Sequence, residues 1–155
     1  MFQSAKILRM VVATVPLLAA AGCAQQASSP PQADAANGPE LAGAWYQIFF
    51  DTNSVEINAR GQTIVKNVAY VVANNGETRV TVIGKTDRVG TPAANIALSQ
   101  RRADTVRNAL VAAGVPAARI DTSWTGEGAQ EVATSNDVAE RRNRVVDITV
   151  VKTAP

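Results

Sequence analysis

The sequence predicts an α+β (mixed α/β) fold: a single sheet of about four strands with helices packed on it, in the order β-α-β-α-β-α-β. Three observations lead there. Apolar residues recur at helical spacing around residues 64–72 and 96–110, alternating runs rich in valine, isoleucine and threonine separate and follow them, and Gly, Pro, Asn or Asp marks each change of period.

The run WYQIFF (45–50) is aromatic and apolar enough for a buried strand, and the DTNS after it is built of turn residues. Ile64, Val68, Val71 and Val72 fall at i, i+4, i+7 and i+8, giving a first helix one apolar stripe that NNG (74–76) stops. Their β-branching argues mildly against a helix, but spacing and length favour it. In TRVTVIG (78–84) both faces are largely apolar, as expected of a central strand covered by helices. Thr91 is the candidate N-cap of a second helix, and Pro92 stands at its first position, where a missing N–H costs nothing. Ile96, Ala103, Val106 and Leu110 form its expected core stripe, and AAGV (112–115) ends it. ARIDTSWTG (118–126) reads as a third strand, SNDVAERRN (135–143) as a short helix capped by Asn136, and RVVDITVVK (144–152) as a last alternating strand. Residues 44–152 thus make one domain of ordinary size, with no internal repeat.

Residues 1–22 read as a secretory signal. Lys6 and Arg9 precede the apolar MVVATVPLLAAAG, which is shorter than the roughly 20 residues a spanning helix needs. The small residues of LAAAGC lead to Cys23, the only cysteine, and resemble the lipobox of bacterial lipoproteins. In that family the cysteine becomes the first mature residue and carries lipid chains such as palmitate. A buried or reactive free thiol is the plainer alternative for Cys23. Ala24, where an inner-membrane retention signal would usually place aspartate, implies outer-membrane sorting. Residues 23–43 read as the lipidated cysteine and a flexible tether rich in Ala, Gln, Ser and Pro.

Removing the signal takes Lys6 and Arg9 from the fifteen basic residues and leaves thirteen against thirteen acidic ones. With no net charge and no basic stripe interleaved with aromatics, nucleic acid is not an expected partner. The chain has no histidine, which removes the commonest general base, the usual zinc ligand and the Ser-His-Asp and Cys-His arrangements together. No metal, no cofactor and no enzymatic activity are expected.

One charged constellation stands out. Asp87 follows the carboxyl end of the TRVTVIG strand, the edge at which ligands usually bind in open sheets. Asn95 and Arg102, seven residues apart on the next helix, lie about 20° from each other around its surface, on a face expected to be distinct from the core face. An anion, an amide and a guanidinium on one edge suit a zwitterion, the carboxylate taking an ammonium and the guanidinium offering a planar fork to a carboxyl group. Arg144, opening the last strand, is a further candidate. Spacing alone leaves open that Asp87 pairs with Arg88 or Arg102 on a solvated surface, and that Arg101, Arg102 and Arg107 coat a helix.

The pattern GxTDxxGxxxxNxxLSxxRAxxV after a strand, a GxG after the third strand and RRNR before the fourth resemble the OmpA-like C-terminal domain, over nearly all of 45–151. Outer-membrane proteins, Pal-type lipoproteins and flagellar stator proteins carry this module. The resemblance implies an OmpA-like fold and non-covalent binding of peptidoglycan through the meso-diaminopimelate of its stem peptide. It places the main ligands on Asp87 and Arg102, with Asn95 and Arg144 beside them. The resemblance also implies that Asp51, Thr52 and Asn53, in the turn after the first strand, border the pocket, with backbone N–H groups the expected contacts more than side chains.

Four positions depart from the family pattern. Lys85 replaces a His or Tyr and is expected to leave the strand edge solvated; Val145 replaces a second arginine, which weakens the expected carboxylate site. Glu127 replaces an aromatic, and Val132 a proline. The turn RVGT in place of DERGT disfavours a Pal-like partnership with the Tol system.

The expected function is that of an outer-membrane lipoprotein, lipid-anchored on the periplasmic face, that tethers the membrane to peptidoglycan. An envelope assembly protein with a weakened pocket, docking other envelope proteins, is the alternative. A cell-wall enzyme using Lys85 or Asp87 lacks a second base.

Overall fold

The computed structural model describes residues 43–153. The signal segment, Cys23 and nearly all of the tether lie outside the described residues. Six elements follow in order: β1 (Ala44–Phe49), α1 (Ala59–Asn74), β2 (Thr78–Lys85), α2 (Pro92–Ala112), β3 (Ile120–Gly126) and β4 (Val145–Lys152). Single 3₁₀ turns at Ala117–Arg119 and Arg141–Asn143 precede β3 and β4.

The four strands form one sheet in the order β1-β4-β2-β3. The last strand of the chain is therefore central, antiparallel to both β1 and β2, while β3 runs parallel to β2. A parallel pair needs a long crossover, and α2 supplies it.

The core lies between one face of the sheet and the two helices. Ile48, Val80, Val82, Val146, Ile148 and Val150 meet Val65, Val68 and Val72 of α1 and Ala103, Val106 and Leu110 of α2. The other face of β2, Thr81, Ile83 and Lys85, is half-buried. Helices thus cover one side only, not the two that the apolar content of β2 suggests. Gly84 sets the approach of α2, since a Cβ there would lie 2.1 Å from the Ser99 carbonyl oxygen.

Both helix starts follow from local chemistry. The Asn58 side chain accepts from the Gly61 N–H at 2.9 Å, and Thr91 Oγ1 accepts from the Ala94 N–H at 3.2 Å ahead of Pro92. The buried stripe of α1 is Gly61, Val65, Val68 and Val72, with Ile64 and Val71 flanking it. In α2 the stripe is rotated from expectation: Ile96 is 43% exposed, Leu98 is buried in its stead, and Asn95, Ser99 and Arg102 join the buried side. The face shared by Asn95 and Arg102 is continuous with the core, contrary to the sequence reading, because the loops at the end of β2 cover it.

The expected third helix is absent. Asp137 adopts φ 58°, which breaks an α-helix, and leaves only the 3₁₀ turn at Arg141–Asn143. The polar groups of this segment bond outward instead. Asp137 N–H donates to the Arg88 carbonyl at 2.8 Å, and Asn136, the expected cap, accepts from Arg88 at 3.3 Å.

Candidate functional site

The site is assembled where β2 ends. Thr86 N–H donates to the Gly126 carbonyl at 2.9 Å, and Ser99 Oγ accepts from the Gly126 N–H at 3.0 Å, so the ends of β2 and β3 and the second turn of α2 are stitched together. Gly126, at φ 56°, is needed twice over, for its backbone conformation and because a Cβ would lie 2.9 Å from the Ile96 side chain. Asp87, just beyond the stitch, is 5% exposed.

A carboxylate so buried needs partners. Arg144 donates to its Oδ2 at 2.9 Å and the Glu140 N–H at 3.3 Å, leaving Oδ1 without a bond among the described residues. Arg144 also donates to the Phe50 carbonyl at 3.2 Å, so it braces Asp87 against the end of β1. The ion pair of Asp87 is thus with Arg144, not with Arg88 or Arg102.

Arg102 is fully buried beneath the site. Its guanidinium donates to the carbonyls of Ser54 at 2.9 Å, Asp51 at 2.9 Å and Lys85 at 3.2 Å, and lies 5.2 Å from the centre of the Phe50 ring. Burial pulls its pKa down to about 10, although the Asp87 charge opposes this, so it remains a cation at neutral pH. Two carbonyls of the β1–α1 connection and the one that ends β2 are held by this one side chain.

Above it opens a hollow of about 310 Å³, lined by Asp87, Asn95, Thr52, Asn53 and Arg101, with Val89, Ala94 and Leu98 as its apolar wall. Arg102 is absent from this lining, whereas Arg101 belongs to it. Ala94, Leu98 and Arg101 fall at i, i+4 and i+7, a stripe that could have been read from the sequence but was masked by the stronger signal of Arg102. Of the turn residues, Thr52 and Asn53 line the hollow, the latter at φ 53°. Asp51 joins through its carbonyl, which accepts from Arg102 and from the Ser54 N–H at 3.1 Å.

The four departures acquire distinct roles. Asn95 is 3% exposed, and its Nδ2 donates to Glu127 at 2.7 Å. A carboxylate only accepts, so Glu127 fixes the amide with its NH₂ turned away and leaves Oδ1 as the atom free for a ligand. Lys85, expected to sit at a solvated strand edge, is held instead between Asp147 at 2.7 Å and Glu131, with a side chain only 13% exposed. This corrects the sequence reading. Asp147 faces the same side of the sheet from central β4, and Gln47 donates to its other oxygen at 3.0 Å. Burial penalises the ammonium, but its bonds and charge attraction to Asp147 and Glu131 outweigh the penalty and raise its pKa above the ordinary lysine value. Val145 is fully buried opposite Phe49, a packing position. Val132 donates its N–H to Asn143 Oδ1 at 2.8 Å and accepts from Asn143 Nδ2 at 2.7 Å. A proline could not make the first of these bonds.

The hollow therefore offers two free acceptors, Asp87 Oδ1 and Asn95 Oδ1, and one exposed guanidinium, that of Arg101. Comparisons with known proteins agree with this architecture. The OmpA family sequence model matches residues 49–145. A peptidoglycan-associated lipoprotein of Pasteurella multocida is 32% identical over 136 residues, covering 87% of this chain and 91% of its own. The probable lipoprotein YiaD of Escherichia coli is 37% identical over 103 residues, 66% of this chain; the match covers 47% of that protein's length. Among solved structures, the peptidoglycan-associated lipoprotein of Burkholderia pseudomallei superposes with a TM-score of 0.63 at 26% identity, over 67% of this chain and 88% of that one. The OmpA-like domain of FopA1 from Francisella tularensis shares the fold, with a TM-score of 0.64 at 19% identity over 71% of this chain and 73% of that chain.

Proposed function

The chain belongs to the OmpA family, and we propose that it is a cell-envelope protein that binds peptidoglycan non-covalently through the free end of meso-diaminopimelate. The observation that carries this reading is the hollow beside β2, where two acceptors stand with an exposed guanidinium. In the reading, Asp87 and Asn95 take the ammonium and Arg101 takes the adjacent carboxylate as a planar fork. Arg144 holds Asp87 in place. Arg102 supports the site from beneath, adding positive charge and fixing the rim turn of Asp51 and Thr52. Relatives named as peptidoglycan-associated lipoproteins support the class of ligand.

Binding rather than catalysis is the better account of these residues. A nucleophilic lysine must lose its proton near neutral pH, and the raised pKa of Lys85 works against that. With lipid on Cys23 and outer-membrane sorting, the domain would tether the outer membrane to the cell wall from the periplasmic face. Residues 24–43 would then set the spacing, about 25 Å as a flexible coil and at most about 70 Å fully extended.

The test is an NMR titration of lipid-free residues 24–155 with meso-diaminopimelate and with Nα-acetyl-lysine methylamide, which has the ammonium without the neighbouring carboxylate. Saturable shifts at Asp87, Asn95 and Arg101 with the first ligand alone are expected. No shifts with either ligand, nor with a muropeptide, would sink the reading.

A further inference from the structure

We propose that a second hollow, walled by Phe49, Arg60, Arg141 and Arg142, is an oxyanion subsite for a carboxylate carried by the same peptide whose diamino acid occupies the first. This inference rests on the peptide-binding reading above. The hollow encloses about 200 Å³, room for a carboxylate and the few carbons that bear it.

Its walls present donors. Arg142 is partly neutralised by Glu140, whose two carboxylate oxygens accept from it at 3.1 and 3.2 Å. Arg60 and Arg141 have no carboxylate within salt-bridge distance among the described residues, although Arg79, Arg119, Arg142 and Arg144 each do. Arg60 also stands in the first turn of α1, which contains no acid. A cation at the positive end of a helix is unfavourable, so Arg60 does not serve the helix it sits on. Half-buried Phe49 adds an apolar wall, suited to the aliphatic part of an acidic residue.

The position relative to the first hollow specifies which carboxylate. Phe49 directly precedes Phe50, whose carbonyl accepts from Arg144, and the same guanidinium reaches Asp87. Both hollows flank the connection from β1 to α1, with Thr52 and Asn53 on one side and Phe49 and Arg60 on the other. One arginine side chain thus links Asp87, in the wall of the first hollow, to Phe50, the chain neighbour of Phe49 in the wall of the second. An extended peptide advances about 3.3–3.6 Å per residue, and the carboxylate assigned to the second hollow is one borne close to the diamino acid in the same peptide. Charge separates the two hollows chemically. The first combines acceptors with one guanidinium and suits a zwitterion; the second offers guanidinium groups and suits an anion.

The test compares two peptidoglycan tetrapeptides, one with every carboxylate free and one with the acidic residue next to diaminopimelate amidated, on the mature wild-type chain and on the double variant Arg60→Gln/Arg141→Gln. Wild type should bind the free acid about fivefold more tightly than the amide, the worth of a partly exposed charge-assisted contact. The double variant should bind both peptides equally, while its affinity for meso-diaminopimelate alone stays at the wild-type value. Tight binding of both peptides to wild type with no preference would overturn the subsite and leave the first hollow standing, as would a preference that survives in the double variant. Absence of binding by either peptide would overturn the peptide reading of the first hollow and the subsite with it. Inorganic phosphate provides the remaining arm. If it shifts Arg60 and Arg141 fully and does not compete with the free-acid peptide, the hollow serves a free oxyanion and the peptide assignment fails.

Discussion

Lys85 and Asp87 are two residues apart at the end of β2, both are charged and largely buried, and they end in opposite situations. Lys85 lies on the sheet face away from the helices, between Asp147 and Glu131, with Gln47 completing the set. Its charge is answered entirely by the protein. Asp87 spends one oxygen on Arg144 and Glu140 and keeps the other free beside a hollow that also holds Asn95 and the exposed Arg101. A cluster that closes on itself pins structure, here the loop carrying Glu131 against the sheet. A cluster left one partner short, next to open space, is where the proposed ligand would complete the set.

The largest way to break this contrast is Arg102→Ala, which removes the support under the open cluster. Three carbonyls lose their donor at once, and we expect about 4 kcal/mol of lost stability in urea unfolding. Loss of ligand binding should accompany it, because Asp51 and Ser54 no longer hold the rim.

Lys85→Met tests the closed cluster. It strands Asp147 and Glu131 and should cost about 3 kcal/mol, while the affinity for meso-diaminopimelate stays within twofold of wild type. The pH dependence gives a sharper readout. The folded-state pKa of Lys85 is raised, so its stabilisation is complete below the ordinary value of 10.5 and is lost as pH rises through the folded pKa. The melting temperature of wild type should carry this alkaline loss, and that of Lys85→Met should lack it. A variant that lost binding while keeping its stability would reverse the assignment of the two clusters.

Arg101→Ala should do the opposite of Lys85→Met. Its side chain is exposed, so unfolding should be unchanged within about 0.5 kcal/mol, whereas affinity should fall about fivefold to tenfold in calorimetric titration. Glu127→Gln is the mildest change. The amide of residue 95 becomes free to turn over, and selectivity for meso-diaminopimelate over its mono-deaminated analogue should fall about twofold to threefold at nearly constant stability.

Much of this was legible locally. The caps at Thr91 and Pro92, the alternation of Val80 and Val82, and the motif around Asp87 and Asn95 are features of neighbouring residues, and the structure has them where the sequence puts them. The errors are of one kind. Ile96 carries the right period and is still 43% exposed, its side chain lying against Gly126 of β3 and outside the core cluster. SNDVAERRN has helical composition, yet its polar groups bond to Arg88 and Asp87, and an isolated helix of that length has little stability of its own. Lys85 reads as solvated because the carboxylates that hold it, Glu131 and Asp147, lie far away in the chain.

Composition, periodicity and spacing determined the four strands, the two long helices and the absence of histidine chemistry, since each depends on residues within a few positions of one another. The tertiary structure decided which charges are answered. Placing β4 between β1 and β2 brings Asp147 to Lys85 and Arg144 to Asp87, the latter pair 57 residues apart in the chain. A side chain's partners depend on strand order and loop path, which local sequence does not encode, and that is why Arg102 is buried beneath the hollow while Arg101 lines it.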